Sequence, residues 1–309
     1  MIPQKIKIGD EIRVIAPSRS LAIVNKEVFA NALDFLRNAG YKITFSKNAY
    51  ELDDFSNSSS IKSRADDLHD AFLDPNVKAI LTCIGGFNVN QILHHIDYNI
   101  IKENPKILCG YSDITALLNA VYAKTGLVTY HGPHFSTFGF DVQRDFTYNN
   151  FCNILQSNNG FELIPSDNQK YTVLQEGNCE GIAVGGNLCT LNLLQGTEFM
   201  PDLEDKILFI EDDNLVGKYF PMEFDRNLQS LLHCKGGDKV KAVIFGRFQE
   251  DSGIDENALR KIIKDKLSPK IPIIAGVDFG HVLPIATLPV GGKIKLSANG
   301  NQAELLINL

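Results

Sequence analysis

The sequence has little of what marks secreted, disulfide-stabilised or membrane-spanning proteins. It contains no tryptophan, and its six cysteines are scattered through 309 residues without a C-x-x-C pair. Cysteines spaced in this way are typical of free, buried thiols. No apolar run approaches the roughly 20 residues that cross a bilayer, and residues 1–7 lead straight into a strand pattern instead of a secretory signal. We therefore expect a cytoplasmic protein with no membrane partner.

Clustered positive charge is missing as well. The net charge is −7, and no basic run reaches five residues. Because phosphate binding needs clustered Lys and Arg, we expect no nucleic-acid partner. The absence of tryptophan removes one common base-stacking platform, although Phe and Tyr remain.

Short apolar strands alternate with amphipathic segments over the first half of the chain. Val28, Ala32, Leu36 and Ala39 recur near helical spacing, and Gly40 is a natural stop for that helix. Such alternation predicts a mostly parallel sheet covered on both faces, with ligands beyond the carboxyl ends of its strands. The expected strands are residues 12–16, 41–46, 77–83, 107–109 and 127–130, and the expected helices are residues 25–39, 60–73, 88–96 and 113–124.

The composition changes after residue 140, where polar residues and weak periodicity predict a connecting segment. We predict an α/β domain over residues 1–150 that carries a nucleophile, a connecting segment over 151–178, and a smaller mixed α/β domain over 179–309. The tail of the second domain alternates polar and apolar residues around Gly291-Gly292 and Asn299-Gly300. Such dipeptides are hairpin signals, so we expect antiparallel strands at the C-terminal end.

Ser112 lies where an apolar run ends in Gly110 and a helix pattern begins at once. A strand ending at Gly110 and a helix beginning near Asp113 would hold the Ser112 hydroxyl on a sharp, exposed turn. The backbone N–H groups that follow would point at an oxyanion formed by its attack. Ser and Asp are also preferred helix caps, so capping by Ser112 or Asp113 is the alternative.

Gly85-Gly86 also follows a strand, so it shares one sheet edge with Ser112. Glycine lets the backbone approach a ligand closely. We predict the N–H groups of Gly86 and Asp113 as oxyanion-hole donors and Gly85 as a substrate contact, with a simple tight turn as the alternative. Asn88 either contacts the substrate or caps the helix that begins there.

Two further side chains suit a serine nucleophile. His281 opens a loop with two prolines, and histidine suits a base for serine because its ordinary pKa lies close to neutral pH. Glu211 ends an apolar strand, where its carboxylate can accept the imidazole N–H and hold the tautomer. From these residues alone, two questions stay open. His281 could be an ordinary loop histidine, and the acid could be Glu211, Asp212 or Asp213.

Eight short motifs stand in a fixed order along the chain, and together they resemble the LD-carboxypeptidase family of serine peptidases. That family includes muropeptide LD-carboxypeptidases and microcin-immunity peptidases. Each motif is weak by itself, but their order and spacing are specific. They are Ile15-Ala-Pro-Ser18, Ile84-Gly-Gly-Phe-Asn88, Gly110-Tyr-Ser-Asp-Ile-Thr115, His131-Gly-Pro133, Gly185-Gly-Asn-Leu188, Ile210-Glu-Asp-Asp213, Phe245-Gly-Arg247 and Gly280-His-Val-Leu-Pro-Ile-Ala-Thr-Leu-Pro-Val-Gly291.

The resemblance implies a flavodoxin-like first domain, a smaller mixed α/β second domain and an active site between them. It makes Ser112 the nucleophile, Glu211 the orienting acid and His281 the general base. The implied reaction is hydrolysis of an amide bond near a substrate carboxyl terminus through an acyl-enzyme, with no cofactor and no metal. Relatives of this type commonly form homodimers, so we expect one here.

The resemblance narrows the substrate to two classes. Segments 84–90, 209–214, 224–226 and 245–248 look closer to immunity-type sequences, which act on aminoacyl-nucleotide amides. The absence of tryptophan puts the adenine-stacking indole of that branch in doubt. The alternative is a small muropeptide that loses its terminal D-alanine.

Several other functions fit the sequence less well. The order Ser, acid, His suits α/β-hydrolases, but these need G-x-S-x-G and Ile114 occupies the last position. A dinucleotide binder is disfavoured because no G-x-G-x-x-G is present. His131 and His134 are three apart, but Pro133 argues against a helix that would align them on a metal. A non-catalytic small-ligand binding protein is the remaining alternative.

Overall fold

The computed structural model describes residues 1–157 and 160–308, which form two β-sheets with helices packed on them. Residues 158 and 159 of the predicted connecting segment and residue 309 of the predicted second domain lie outside the described residues. The strands are β1 Glu11–Ile15, β2 Lys42–Phe45, β3 Val77–Thr82, β4 Ile107–Gly110, β5 Thr129–His131, β6 Phe161–Glu162, β7 Thr172–Gln175, β8 Gly177–Asn187, β9 Lys206–Glu211, β10 Ala242–Gly246, β11 Ile273–Val277, β12 Leu288–Val290, β13 Lys293–Asn299 and β14 Gln302–Asn308. The α-helices are α1 Lys26–Asn38, α2 Ile61–Leu73, α3 Tyr98–Glu103, α4 Thr115–Thr125, α5 Arg144–Gln156, α6 Leu188–Asn192, α7 Phe220–Leu232 and α8 Glu256–Ile263.

The first sheet runs in the order β2-β1-β3-β4-β5-β12, and its first five strands are parallel. The order 2-1-3-4-5 is that of flavodoxin-like folds, in which ligands bind beyond the carboxyl ends of the strands. The second sheet runs β6-β14-β13-β8-β9-β10-β11-β7, with a parallel centre from β8 to β11 and antiparallel strands on both sides. The predicted fold class is confirmed.

Local sequence signals begin and end the helices as expected. The Asn25 side chain accepts hydrogen bonds from the first turn of α1, and Ser60 does the same for α2. Gly40 follows α1 with φ of +94°, and Gly126 ends α4 with φ of +70°. These left-handed conformations favour glycine.

No helix of the described ranges is long and apolar enough to cross a membrane.

Helix α5 lies within the stretch whose weak periodicity predicted a connecting segment. The helix buries Phe151, Ile154 and Leu155, but the same face also buries Thr147 and Asn150, and these polar residues interrupt the apolar pattern. Strands β6 and β7 of the second sheet also fall between residues 151 and 178. The predicted segment therefore contains regular elements of the fold.

The two glycine dipeptides of the tail have different outcomes. Asn299 pairs with Gln302 across a two-residue turn that contains Gly300, so the hairpin predicted there is confirmed. The hairpin predicted at Gly291-Gly292 is wrong. Strand β12 instead pairs antiparallel with β5 of the first sheet, while β13 pairs with β8 of the second. The chain passes from one sheet to the other at this point, and it ties the two sheets together.

Candidate active site

Ser112 lies two residues after the end of β4, on the sharp turn that its sequence context predicts. Its φ is +59°, a left-handed conformation that costs a residue with a side chain about 1–3 kcal/mol. A short 3-10 helix over Ser112–Ile114 then leads into α4. The Ser112 hydroxyl caps neither helix and lies 3.0 Å from Nε2 of His281. The helix-cap alternative for Ser112 is therefore wrong.

Glu211 and His281 come from neighbouring parts of the second sheet. Glu211 is the last residue of β9, and His281 lies in the loop after β11. Strand β10 lies between β9 and β11 in the sheet. Nδ1 of His281 is 2.7 Å from Oε2 of Glu211. With Nδ1–H donating to the carboxylate, Nε2 is left to accept the Ser112 hydroxyl proton. The three predicted residues thus form one continuous chain of hydrogen bonds.

Glycines make room for the Glu211 carboxylate. A Cβ at Gly280, where φ is +104°, would lie 2.6 Å from Oε2 of Glu211. A Cβ at Gly246 would lie 2.9 Å from Cβ of Glu211.

Arg247 fixes the loop that carries His281, because its Nη2 donates to the carbonyl oxygens of Val282 and Pro284 at 3.1 and 2.7 Å.

Burial and the neighbouring carboxylates set the charges of this pair. Glu211 is fully buried, which raises its pKa, but the facing His281 outweighs burial and the pKa of Glu211 is lowered overall. Burial lowers the pKa of His281, yet Glu211, with smaller contributions from Asp213 and Asp212, raises it to about 9. Burial raises the pKa of Asp212 well above its usual range. The free protein therefore holds a proton on His281 more tightly than an exposed imidazole would.

The Asp113 side chain ties the Ser112 turn to the glycine loop. Its buried carboxylate accepts the Ser18 hydroxyl at 2.5 Å and the N–H groups of Asn88 and Val89 at 2.9 Å each. The Asp113 carboxylate thus caps the 3-10 helix Val89–His95, which follows the neighbouring strand β3. It does not cap the helix to which Asp113 itself belongs. The sequence predicted the Asp113 N–H as an oxyanion donor or its side chain as a cap of its own helix, but not this contact with Ser18 and the glycine loop.

The predicted oxyanion-hole residues lie beside the nucleophile. A Cβ at Gly85 would lie 3.0 Å from Oγ of Ser112, and one at Gly86 would lie 2.2 Å from Oγ of Ser18. Only glycine allows this close approach. Among the described residues, nothing accepts a hydrogen bond from the N–H of Gly86 or Asp113. Both donors are therefore available to a ligand.

Asn88 does not cap the helix that begins there, and its side chain is buried. Its side chain makes no capping hydrogen bond, and the residue is buried away from the lining of the cleft. Its Nδ2 donates to Ser58 at 2.8 Å, and its Oδ1 lies 3.3 Å from Nη1 of Arg64. Both polar atoms of the Asn88 side chain are thus held inside the fold, where they support the glycine loop.

A cleft of about 640 Å³ opens over Ser112 and His281. Gly85, Gly86 and Asp113 line it, together with Asn187 and Asp213 from the second-sheet side. Its apolar lining consists of Ile23, Val24, Val28, Ile84, Phe87, Phe140, Leu193 and Leu215. The arrangement suits a small ligand with both polar and apolar parts.

Two further histidines pack beneath the site, and both are neutral. Burial lowers the pKa of His131 to about 4 and that of His134 well below its usual range. Nδ1 of His134 lies 2.7 Å from Oγ1 of Thr82, and His131 packs edge-on against Phe209 and Phe279.

In the part of the chain that the structure describes, no group of three or more His, Cys, Asp or Glu side chains is placed to hold a metal ion.

Comparison with known families gives two adjacent matches. Residues 12–132 match the LD-carboxypeptidase N-terminal domain, and residues 180–296 match the LD-carboxypeptidase C-terminal domain. The chain is also 46% identical to YocD of Bacillus subtilis, a protein named provisionally as a carboxypeptidase, over 100% of this chain and 99% of YocD.

A microcin-immunity protein and an MccF-like protein match over nearly their full length. The microcin C7 self-immunity protein MccF of Escherichia coli is 32% identical over 99% of this chain and 95% of its own. MccF has also been solved in complex with glutamyl sulfamoyl guanosine, and that structure superposes with a TM-score of 0.86 at 29% identity, covering 99% of this chain and 98% of MccF. The crystal structure of an MccF-like protein from Bacillus anthracis superposes with a TM-score of 0.95 at 45% identity, covering 100% of this chain and 99% of that one.

Proposed function

Because the chain belongs to the LD-carboxypeptidase family, we propose that it is a serine peptidase that hydrolyses an amide bond near a substrate carboxyl terminus through an acyl-enzyme. The observation that carries the proposal is the chain of hydrogen bonds from Ser112 through His281 to Glu211 at the base of the cleft. A fully buried carboxylate behind a histidine, with a serine in front of it, is the arrangement that activates a hydroxyl nucleophile.

In this mechanism, His281 removes the Ser112 proton as Oγ attacks the substrate carbonyl carbon. The carbonyl oxygen becomes an oxyanion that accepts hydrogen bonds from the N–H groups of Gly86 and Asp113. Each such donor contributes about 3 kcal/mol to transition-state stabilisation. His281 then gives its proton to the leaving amine as the C–N bond breaks. Water, deprotonated by His281, cleaves the ester and restores Ser112, while Glu211 holds the imidazole throughout.

For the substrate we propose an aminoacyl-nucleotide amide. The support is the full-length similarity to MccF, which binds glutamyl sulfamoyl guanosine, and the open cleft with exposed Phe87, Phe140 and Leu215 on its lining. The second candidate is a muropeptide that loses terminal D-alanine, and it is supported by the LD-carboxypeptidase domains themselves.

The test is incubation of the protein with an aminoacyl-nucleotide amide and, separately, with a murein tetrapeptide, followed by chromatography of the products. We expect hydrolysis of the first, and the same incubation with Ser112→Ala should give none. Hydrolysis of the tetrapeptide alone would replace the first substrate by the second. If neither compound is hydrolysed but one of them binds, the protein is a small-ligand binding protein instead.

We also propose a homodimer in which each subunit has its own Ser112, Glu211 and His281. Ser112 follows a strand of the first sheet, whereas Glu211 and His281 follow strands of the second. A contact that spans both sheets would hold the site together, and two-fold dimers are the commonest soluble assembly. Light scattering over a dilution series tests this, and a monomer mass with full activity throughout would contradict it.

A further inference from the structure

Arg19 brings a guanidinium group to the lining of the cleft. The residue is half-buried, its Nε donates to the carbonyl oxygen of Gly85 at 3.1 Å, and its Cζ lies 5.9 Å from the ring centre of Phe87. These two contacts orient the guanidinium. No acidic side chain of the described ranges forms an ion pair with it. The Nη groups therefore stay available to a ligand.

The position of Arg19 relative to the nucleophile is set through Gly85. One side of Gly85 lies against Ser112, because a Cβ there would be 2.9 Å from Cβ and 3.0 Å from Oγ of Ser112. The carbonyl oxygen of the same residue accepts the Arg19 hydrogen bond. A single glycine thus separates the guanidinium from the nucleophile. Arg19 and Ser112 therefore contact the same glycine, and both line the cleft.

Arg19 and Asp213 lie on opposite sides of the cleft. Arg19 is the one Lys or Arg side chain among the described residues that line it, and it comes from the first-sheet side. Asp213 lies on the opposite side, next to the buried Glu211 and Asp212. The Asp113 carboxylate, also on the first-sheet side, already accepts three hydrogen bonds inside the fold. The Arg19 guanidinium therefore attracts an anionic group to its side of the cleft, and Asp213 repels one from the other side.

We propose that Arg19 binds the anionic group of the substrate's leaving portion, next to the amide bond that is cleaved. The inference rests on the proposed function. The shared chemistry is a planar or tetrahedral oxyanion that the guanidinium fork can hold through two hydrogen bonds. Two sources supply it: the carboxylate of a terminal amino acid, or the phosphoryl group of an aminoacyl-nucleotide amide. Such a contact restricts the enzyme to substrates with an anion beyond the scissile bond.

The experiment measures ligand binding in the Ser112→Ala protein by calorimetry, with two matched pairs. The first pair is a murein tetrapeptide and its C-terminal amide. The second is an aminoacyl-nucleotide phosphoramidate and the aminoacyl amide of 5′-amino-5′-deoxyadenosine, which lacks the phosphoryl group. In each pair the readout is the ratio of Kd for the neutral member to Kd for the charged member. Arg19→Gln and Arg19→Lys are compared with Arg226→Gln, which removes an exposed arginine outside the cleft.

We expect a ratio of about 100 in one pair, since removing one partner of a desolvated, hydrogen-bonded charge pair typically costs this much. Arg19→Gln should reduce that ratio to within about threefold of unity, and Arg19→Lys should leave roughly a tenth of it, because lysine keeps the charge but not the fork. Arg226→Gln should leave it unchanged. The pair that responds identifies the source of the anion. A ratio near unity in both pairs, or one that survives in both Arg19 variants, would overturn the inference.

Hydrolysis of the charged ligands by the protein with Ser112 intact separates this inference from the proposed function. Charge discrimination that depends on Arg19 without any hydrolysis would contradict the peptidase proposal and support the anion site. Hydrolysis without charge discrimination would do the reverse.

Discussion

The Glu211→Gln variant tests how the buried carboxylate controls His281. The substitution keeps the size of the side chain and replaces the charge that faces Nδ1 at 2.7 Å. Glu211 is the main favourable influence that raises the pKa of His281 from 6.5 to about 9. A shift of that size corresponds to roughly 3 kcal/mol of preference for the imidazolium over the neutral ring.

The sign of the pH dependence follows from the role of His281 as a base. Only the neutral imidazole can take the Ser112 proton, so kcat/KM of the wild-type protein should rise with pH through an apparent pKa well above 6.5. In Glu211→Gln, burial acts on His281 without the facing charge, and the rise should move to lower pH. The plateau should fall by roughly 10³- to 10⁴-fold, because an amide does not hold the productive tautomer.

The assay is a kcat/KM profile from pH 5 to 10 for both proteins, with Asp213→Asn as a comparison. Asp213 makes a smaller contribution to the His281 pKa than Glu211, so Asp213→Asn should shift the rise less. A wild-type rise centred at or below 6.5, or one that Glu211→Gln leaves in place, would refute this account of the pair.

Two further variants test the surroundings of the site. Gly280→Ala places a Cβ 2.6 Å from Oε2 of Glu211 and should lower kcat at least about 100-fold, since displacing the carboxylate by about an ångström is enough. The control is Gly276→Ala, at φ of +80° with open space around it, which should lose stability but keep turnover. Equal turnover in both variants would contradict the steric argument. Asp113→Ala leaves two buried N–H groups and the Ser18 hydroxyl without their acceptor, which should lower the free energy of unfolding by about 2–4 kcal/mol. A urea titration that shows less than about 1 kcal/mol would mean that these donors find other partners.

The sequence predicted the architecture and the three residues of the hydrogen-bond chain well, for a physical reason. Strand–helix alternation fixes which strand ends share a sheet edge, so Gly85, Gly86 and Ser112 could be placed in one crevice from local patterns. The identities of Glu211 and His281 came from motif order, since the residues alone left three acids open.

What the sequence could not predict depends on contacts between distant segments. Ser18 and Asp113, which share a hydrogen bond, are 95 positions apart in the sequence. Arg64 and Asn88, which also share one, are 24 positions apart. No local pattern indicates that these polar groups satisfy one another, so the sequence predicts Asn88 only as either a substrate contact or a helix cap. The pairing of β12 with β5 was missed for the same reason, because a Gly-Gly turn signal does not say which sheet the next strand joins.

Covalent labelling shows whether Ser112 is the nucleophile and whether His281 activates it. The protein is treated with a fluorophosphonate, digested and mapped by mass spectrometry. We predict one adduct, on the peptide that contains Ser112, with no labelling of Ser112→Ala and labelling of His281→Ala slowed by several orders of magnitude. An active protein whose adduct lies on another residue, or that labels equally fast without His281, would contradict the account.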